Sequence, residues 1–140
     1  MINDITSYLD ELYPNPKCEL NYNKDYELLI AIVFSAQTTD KMVNRVTSVL
    51  FDKYDSLVKI SEANIIDIEN IIREIGTFRK KSIYVKEIAS RLVKDGYSFV
   101  PNDRDYIESL PGVGHKTANV FLANIYNEPT ENQKHHIQLF

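Results

Sequence analysis

Leu110-Pro111-Gly112-Val113-Gly114-His115-Lys116-Thr117-Ala118 is the stretch on which the fold turns. Two glycines separated by one residue permit a tight bend with positive φ and keep side chains away from whatever approaches it. Leu110 and Val113 can pin the bend onto its flanking helices. Those helices are short and amphipathic: Asp103 to Leu110 before the bend, and His115 to Tyr126 after it, with Ala118, Val120, Phe121 and Ile125 at helical spacing. The first turn of the second helix presents unpaired N–H groups and the positive end of its dipole, where an anion is favoured. Contact through main-chain amides reads phosphate and not base, which suits a nucleic-acid backbone. Gly-x-Gly alone would be no more than an economical turn. The Leu-Pro before it and the Lys-Thr-Ala after it favour the phosphate reading.

Outward from this hairpin the periodicity stays helical. Asn3 or Asp4 can cap a first helix bearing Ile5, Tyr8, Leu9 and Leu12, stopped by Tyr13-Pro14-Asn15-Pro16. Asp25 to Ala36 is apolar nearly all round, as expected of a central, covered helix. Its run Leu28 to Phe34 also fits a buried strand, but no second strand offers to pair with it. Thr38 or Thr39 can cap a helix carrying Met42, Val43, Val46, Val49, Leu50 and Phe51. Asp55 to Ile60 reads as a short helical turn. Ser61 is then placed as the cap of a helix burying Ile65, Ile68, Ile72 and Ile75, with Gly76 as its left-handed terminator. A basic helix follows to Lys94, burying Ile83, Ile88, Ala89 and Leu92, and Gly96 ends it.

The 140 residues, 44% apolar, suffice for one compact domain with a real core. No apolar run approaches the roughly 18 residues that cross a bilayer, and Met1-Ile2-Asn3-Asp4 has no signal-peptide pattern. A cytoplasmic location is expected. The single cysteine, Cys18, excludes an intrachain disulfide and any multi-cysteine cluster within these residues. Adjacent His135 and His136 lack a third ligand, so no metal site is expected. The net charge of −4 lends nucleic-acid binding no support by itself. The segment Arg79 to Lys94 nevertheless carries Arg79, Lys80, Lys81, Lys86, Arg91 and Lys94 against Glu87. That stripe is either a phosphate-facing surface or a solvated helix face.

The Leu110 stretch is a helix-hairpin-helix motif, and with it the chain resembles the endonuclease III family of DNA glycosylase/abasic-site lyases. Glu19-Leu20-Asn21-Tyr22, Tyr26 to Ala31, Ser35-Ala36-Gln37-Thr38-Thr39-Asp40, Ile75-Gly76 with Lys81, and Val100-Pro101 with Asp103-Arg104 match in order and spacing. The resemblance implies an all-α helical bundle of the helix-hairpin-helix glycosylase type, binding damaged or abasic double-stranded DNA between two lobes, as a monomer associated with the nucleoid. Residues 21–130 would form the main domain with its hairpin at 103–126. Residues 1–20 would belong to a second lobe, and 131–140 form an unmatched polar tail.

The resemblance also implies roles. Lys116 falls on the catalytic lysine, whose amine attacks the sugar C1′, forms a Schiff base and leads to β-elimination. Gln37 falls on the glutamine that fills the gap left by a flipped nucleotide. Gly112 and Gly114 fall on the phosphate-binding glycines. Leu110, Val113, His115, Thr117 and Lys81 complete the expected DNA-binding set, though His115 reads equally well as a surface polar residue. The Gly76-Thr77-Phe78 segment falls where the family inserts a bulky wedge, and Thr77 is small for that. A free lysine is unprotonated in only about one molecule in 10³ near pH 7. A nucleophilic amine in a helix's first turn would be helped by the positive helix end and by burial against a sugar.

After Pro129-Thr130 the likeness breaks. Where the family places the aspartate that acts with the lysine, this chain has Lys134, within Glu131-Asn132-Gln133-Lys134-His135-His136. A cation there cannot accept a proton. Glu128 and Glu131 are the nearest carboxylates. The family's four-cysteine iron–sulfur region is not matched, so no cofactor is expected in this chain, and its sequence reads as C-terminally truncated or frame-shifted. Removal of oxidised pyrimidines with lyase cleavage is therefore the leading expectation. A non-catalytic DNA-binding module is the alternative.

Overall fold

The structure, a computed structural model, describes residues 19–126. Expectations that fall on the first helix (Ile5 to Leu12), Cys18, Glu128, Glu131, Lys134, His135 and His136 lie outside the described residues. Within them the protein is all-helical, with no strand. The helices are α1 (Asp25–Phe34), α2 (Asp40–Lys53), α3 (Leu57–Ser61), α4 (Ile65–Ile71), α5 (Phe78–Lys94), α6 (Arg104–Glu108) and α7 (His115–Ile125).

The core is organised around α1, whose residues from Tyr26 to Phe34 are all buried. The seven-residue apolar run is helical because α2, α5 and α7 surround it and cover every face. The Glu27 carboxylate accepts from Asn23 N (2.9 Å) and Lys24 N (3.4 Å) and so closes the first turn of α1. Asp25 reaches across the fold to accept from Val100 N at 2.9 Å, tying α1 to the segment that leads into the hairpin.

Side-chain caps start most of the other helices. Thr39 Oγ1 accepts from Met42 N, Ser56 Oγ from Lys59 N, and Asp103 Oδ1 from Tyr106 N. The expected cap at Ser61 is not formed. Ser61 is instead the last residue of α3, its hydroxyl bonded back to Val58 O, and Asn64 caps α4 through Ile66 N at 2.8 Å. Ile68, Ile72 and Ile75 do line the core, with Ile65 only partly covered.

Two further expectations are corrected. Gly76 is not in the left-handed region; Thr77 is, at φ 51° and ψ 42°. Glycine is needed at 76 for close approach: a Cβ there would lie 3.3 Å from Gln37 O, and its N–H donates to Thr38 Oγ1 at 3.2 Å. Ile83 is 46% exposed, because the buried face of α5 runs through Lys81, Ser82, Val85, Ile88, Ala89 and Leu92. Gly96 does end α5 in the left-handed region, with Tyr97 N donating to Leu92 O.

Candidate functional site

The hairpin joins α6 to α7 through a bend held from beneath. Leu110 and Val113 are buried, and Val113 N donates to Leu110 O at 3.1 Å. They anchor the turn and present no surface to a ligand, which corrects their placement among direct DNA contacts. Gly112 takes φ +78°, and a Cβ there would fall 2.5 Å from Tyr84 Cδ2 on α5. The Tyr84 ring is therefore the floor of the bend. Gly114 is exposed and extended, with open space where a Cβ would stand.

No side chain caps α7. The first backbone bond at this end runs from Ala118 N to Gly114 O (3.0 Å), so the N–H groups of His115, Lys116 and Thr117 precede the helical ladder. Arg104 on α6 bonds Asn119 on α7 at 2.5 Å and approaches Glu108 at 3.5 Å, locking the two helices together. His115 Nδ1 lies 2.9 Å from Glu108 Oε2. Its partner is thus a carboxylate.

Beside this helix end lies a cavity of about 360 Å³, walled by Lys116, Thr117 and Val120 of α7, by Ser35, Ala36 and Gln37 after α1, and by Asp40, Ile32 and Leu20. Lys116 and Gln37, 79 positions apart in sequence, face one space. Gln37 is held in the left-handed region at φ 62°, a conformation that costs a non-glycine residue about 1–2 kcal/mol and needs its surroundings to impose it. Burial, and next the Glu19 carboxylate, raise the Asp40 carboxyl above the ordinary value of such a group. A larger cavity of about 670 Å³ is lined by residues such as Asn21, Asn44 and Asp52, and among the described residues that line it there is no amine or thiol to act as a nucleophile.

What imposes the Gln37 loop is Lys81. Its side chain is only 3% exposed, and Nζ donates to Phe34 O (2.9 Å), Ala36 O (2.5 Å) and Thr38 Oγ1 (3.5 Å). Burial depresses its pKa. Lys81 was expected to touch DNA; its donors are instead spent on the end of α1 and the loop that follows. The basic stripe is similarly divided. Lys86 Nζ bonds Ala63 O, and Arg91 bonds Ser109 O and Oγ on the hairpin. Arg79 lies over the Phe78 ring at 5.2 Å. Thr77, exposed, stands beside the Gln37 loop through the Gly76–Thr38 bond.

Two residues of the site were not assigned roles by the sequence. Asp40 sits at the end of the matched run Ser35 to Asp40, and Tyr84 one helical turn after Lys81. The spacing of Tyr84 from Lys81 is a signal that both face inward from α5. Nothing local marks Asp40 as a wall of the cavity that Lys116 lines.

An uncapped helix end, a glycine turn and a cavity lined by an amine make an arrangement able to take an anion beside a primary amine. Residues 30–135 match the family model of the HhH-GPD superfamily base excision DNA repair protein, and the chain belongs to that superfamily. It is similar to endonuclease III of Bacillus subtilis (strain 168), with 36% identity over 121 residues, 86% of this chain and 55% of that protein. With endonuclease III of Rickettsia felis the identity is 39% over 130 residues, covering 93% and 61%. The chain spans about 55–61% of the length of these curated relatives. Among solved structures it resembles a non-covalent endonuclease III–DNA complex (TM-score 0.79, 36% identity, 97% of this chain and 64% of that one). It also resembles a trapped endonuclease III–DNA covalent intermediate (TM-score 0.78, 38% identity, 91% and 60%). No helix among the described residues is long and apolar enough to cross a membrane.

The resemblance implies a four-cysteine iron–sulfur cluster; these 140 residues hold one cysteine, Cys18.

Proposed function

We propose that this chain works in base-excision repair on double-stranded DNA in the nucleoid, as a monomer. It would remove oxidised pyrimidines and cleave the abasic strand through Lys116. The phosphate backbone would sit on the uncapped end of α7, with Gly112 and Gly114 leaving room for it and the N–H groups of His115, Lys116 and Thr117 donating to it. The Lys116 amine would attack C1′ of the damaged nucleotide, and β-elimination from the resulting Schiff base would open the strand on the 3′ side. Gln37, across the cavity, would occupy the space a flipped nucleotide leaves in the duplex.

One observation carries this reading: Lys116 and Gln37 wall the same cavity, directly beside a helix end that no side chain caps. The test is incubation with an abasic-site duplex and borohydride. A covalent adduct is expected with the protein and none with Lys116→Ala. A well-folded sample that binds the duplex but yields no adduct would replace the lyase reading with its alternative, DNA binding without turnover, which Lys134 in the register of the family's aspartate favours. Either way, affinity through several phosphate contacts should fall steeply with salt.

A further inference from the structure

The reaction proposed for Lys116 needs a group that takes a proton from an ammonium and later returns it. The register of the family's carboxylate is filled here by a lysine. Among the described residues lining the Lys116 cavity, the only carboxyl group is that of Asp40. The remaining walls are neutral: Ser35, Gln37 and Thr117 offer polar atoms, and Leu20, Ile32 and Val120 exclude water from one side.

We propose that Asp40 is the proton shuttle of this site, serving Lys116 from across the cavity. The inference rests on the Lys116 reading above. The Asp40 carboxylate takes a proton from the Lys116 ammonium, and the freed amine adds to C1′ of the open-chain aldehyde of an abasic site. The carbinolamine that forms keeps the former carbonyl oxygen as a hydroxyl. Asp40, now a carboxylic acid, returns its proton to that hydroxyl, which departs as water and leaves the protonated imine. One ammonium and one carbonyl become one iminium and one water, and the carboxylate is regenerated.

Placement and environment suit the task. Asp40 opens α2 beside its cap Thr39, so a fixed helix start positions it. The titratable group that acts on it is Glu19, from the segment ahead of α1, and Lys116 of α7 lines the same cavity. Burial and Glu19 both raise its pKa, which brings a carboxyl closer to working pH and makes it a better acceptor. A sequence reading would seek the partner carboxylate after Lys116. The fold supplies one 76 positions before it.

The test is the rate of borohydride-trapped adduct formation on abasic duplex across pH 4 to about 8, in the full chain, beside the affinity for a duplex with a non-reactive tetrahydrofuran site. Asp40→Asn should slow trapping about 10²-fold near neutrality and remove the acid limb of the profile, with duplex affinity within about twofold of the unaltered chain. Asp40→Glu should restore part of the rate, and Glu19→Gln should move the acid limb to lower pH. Trapping by Asp40→Asn at the original rate, with the limb intact, overturns the shuttle while leaving Lys116 in place. No adduct from the unaltered chain overturns the Lys116 reading and this one with it. Should Asp40→Asn melt early, Glu19→Gln decides: a limb that does not move overturns the assignment.

Discussion

Replacing Lys81 by methionine keeps the length and apolar stem of the side chain and deletes its three donors. Phe34 O is fully inside the protein, and losing a charged donor at a buried acceptor costs about 1–3 kcal/mol. Ala36 is exposed, so its carbonyl can turn to water and contributes less. Methionine in turn removes the cost of holding an ammonium in the interior, which opposes part of the loss. The net expectation is destabilisation of about 2 kcal/mol. With a urea m-value of about 1–3 kcal/mol/M for a chain of this size, the midpoint should fall by about 1 M at unchanged slope. The pH dependence carries a second signature. Because burial lowers the folded-state pKa of Lys81 from 10.5, the unfolded chain binds more protons between the two values. Stability should therefore gain from this group as pH rises toward 10.5, and Lys81→Met should lose that gain. Equilibrium urea unfolding at pH 7 and at higher pH checks both. A midpoint within about 0.2 M of the unaltered protein at neutral pH would refute the clamp, since a solvated lysine predicts that result.

The two hairpin glycines should separate by mechanism. Gly112→Ala places a Cβ in the left-handed region and against the Tyr84 ring, so it should lose about 2–4 kcal/mol in thermal or urea unfolding. Gly114→Ala has open space and φ −99°, so stability should change by under about 0.5 kcal/mol while duplex affinity, read by fluorescence anisotropy, falls at least tenfold; equal affinity would show that no phosphate meets this face. Above pH 10 stability should decline, because Tyr26 and Tyr106 are both raised to about 12 in the fold and the unfolded chain releases those protons first. Tyr106→Phe, which deletes a 2.6 Å bond to Asp95, should cost about 1 kcal/mol near neutrality and flatten part of the alkaline decline in a urea series.

The parts of this protein legible in its sequence are those whose causes are local. A glycine that must adopt φ +78° is marked by being glycine, and Leu110 and Val113 are marked by the helices on either side. The burial of α1 is written in its continuous apolar run. Lys81 illustrates the opposite case. It sits in a basic segment that reads as a solvated or DNA-facing stripe, yet its partners lie 43 to 47 positions earlier and are mostly backbone carbonyls, which every residue possesses. The same holds for Gly76, read as a helix terminator when its purpose is contact with a loop some 38 positions away. Ile83 is apolar but lies off the buried stripe that runs through Lys81, Val85, Ile88 and Leu92, so its residue type points inward where its position does not. Asp40 belongs with these: helix packing brings it to the same cavity as Lys116, and no spacing rule connects them.

The distribution of helix caps gives an independent reason to place function at the cavity edge. A side-chain cap is worth about 1 kcal/mol, and α2, α3, α4 and α6 each have one, while α1 has the Glu27 carboxylate. Among the described residues, α5 and α7 begin without a side-chain cap. Both starts adjoin segments that wall the site: Thr77 follows Gly76, whose N–H bonds Thr38 of the Gln37 loop, and Gly114 precedes the turn that carries Lys116 and Thr117. Had caps been omitted without regard to place, nothing would put both uncapped starts next to segments that wall the cavity. Donors left to solvent at both points can be taken over by an anion, and a polyanion passing along this edge could meet both. The stability forgone at Thr77 and Gly114 is then recovered as binding, whereas a serine or aspartate at position 114 would fill the N–H groups internally and stabilise the free protein at the expense of the complex. Gly114→Ser, more stable yet weaker on DNA than the unaltered chain, is the outcome this trade requires.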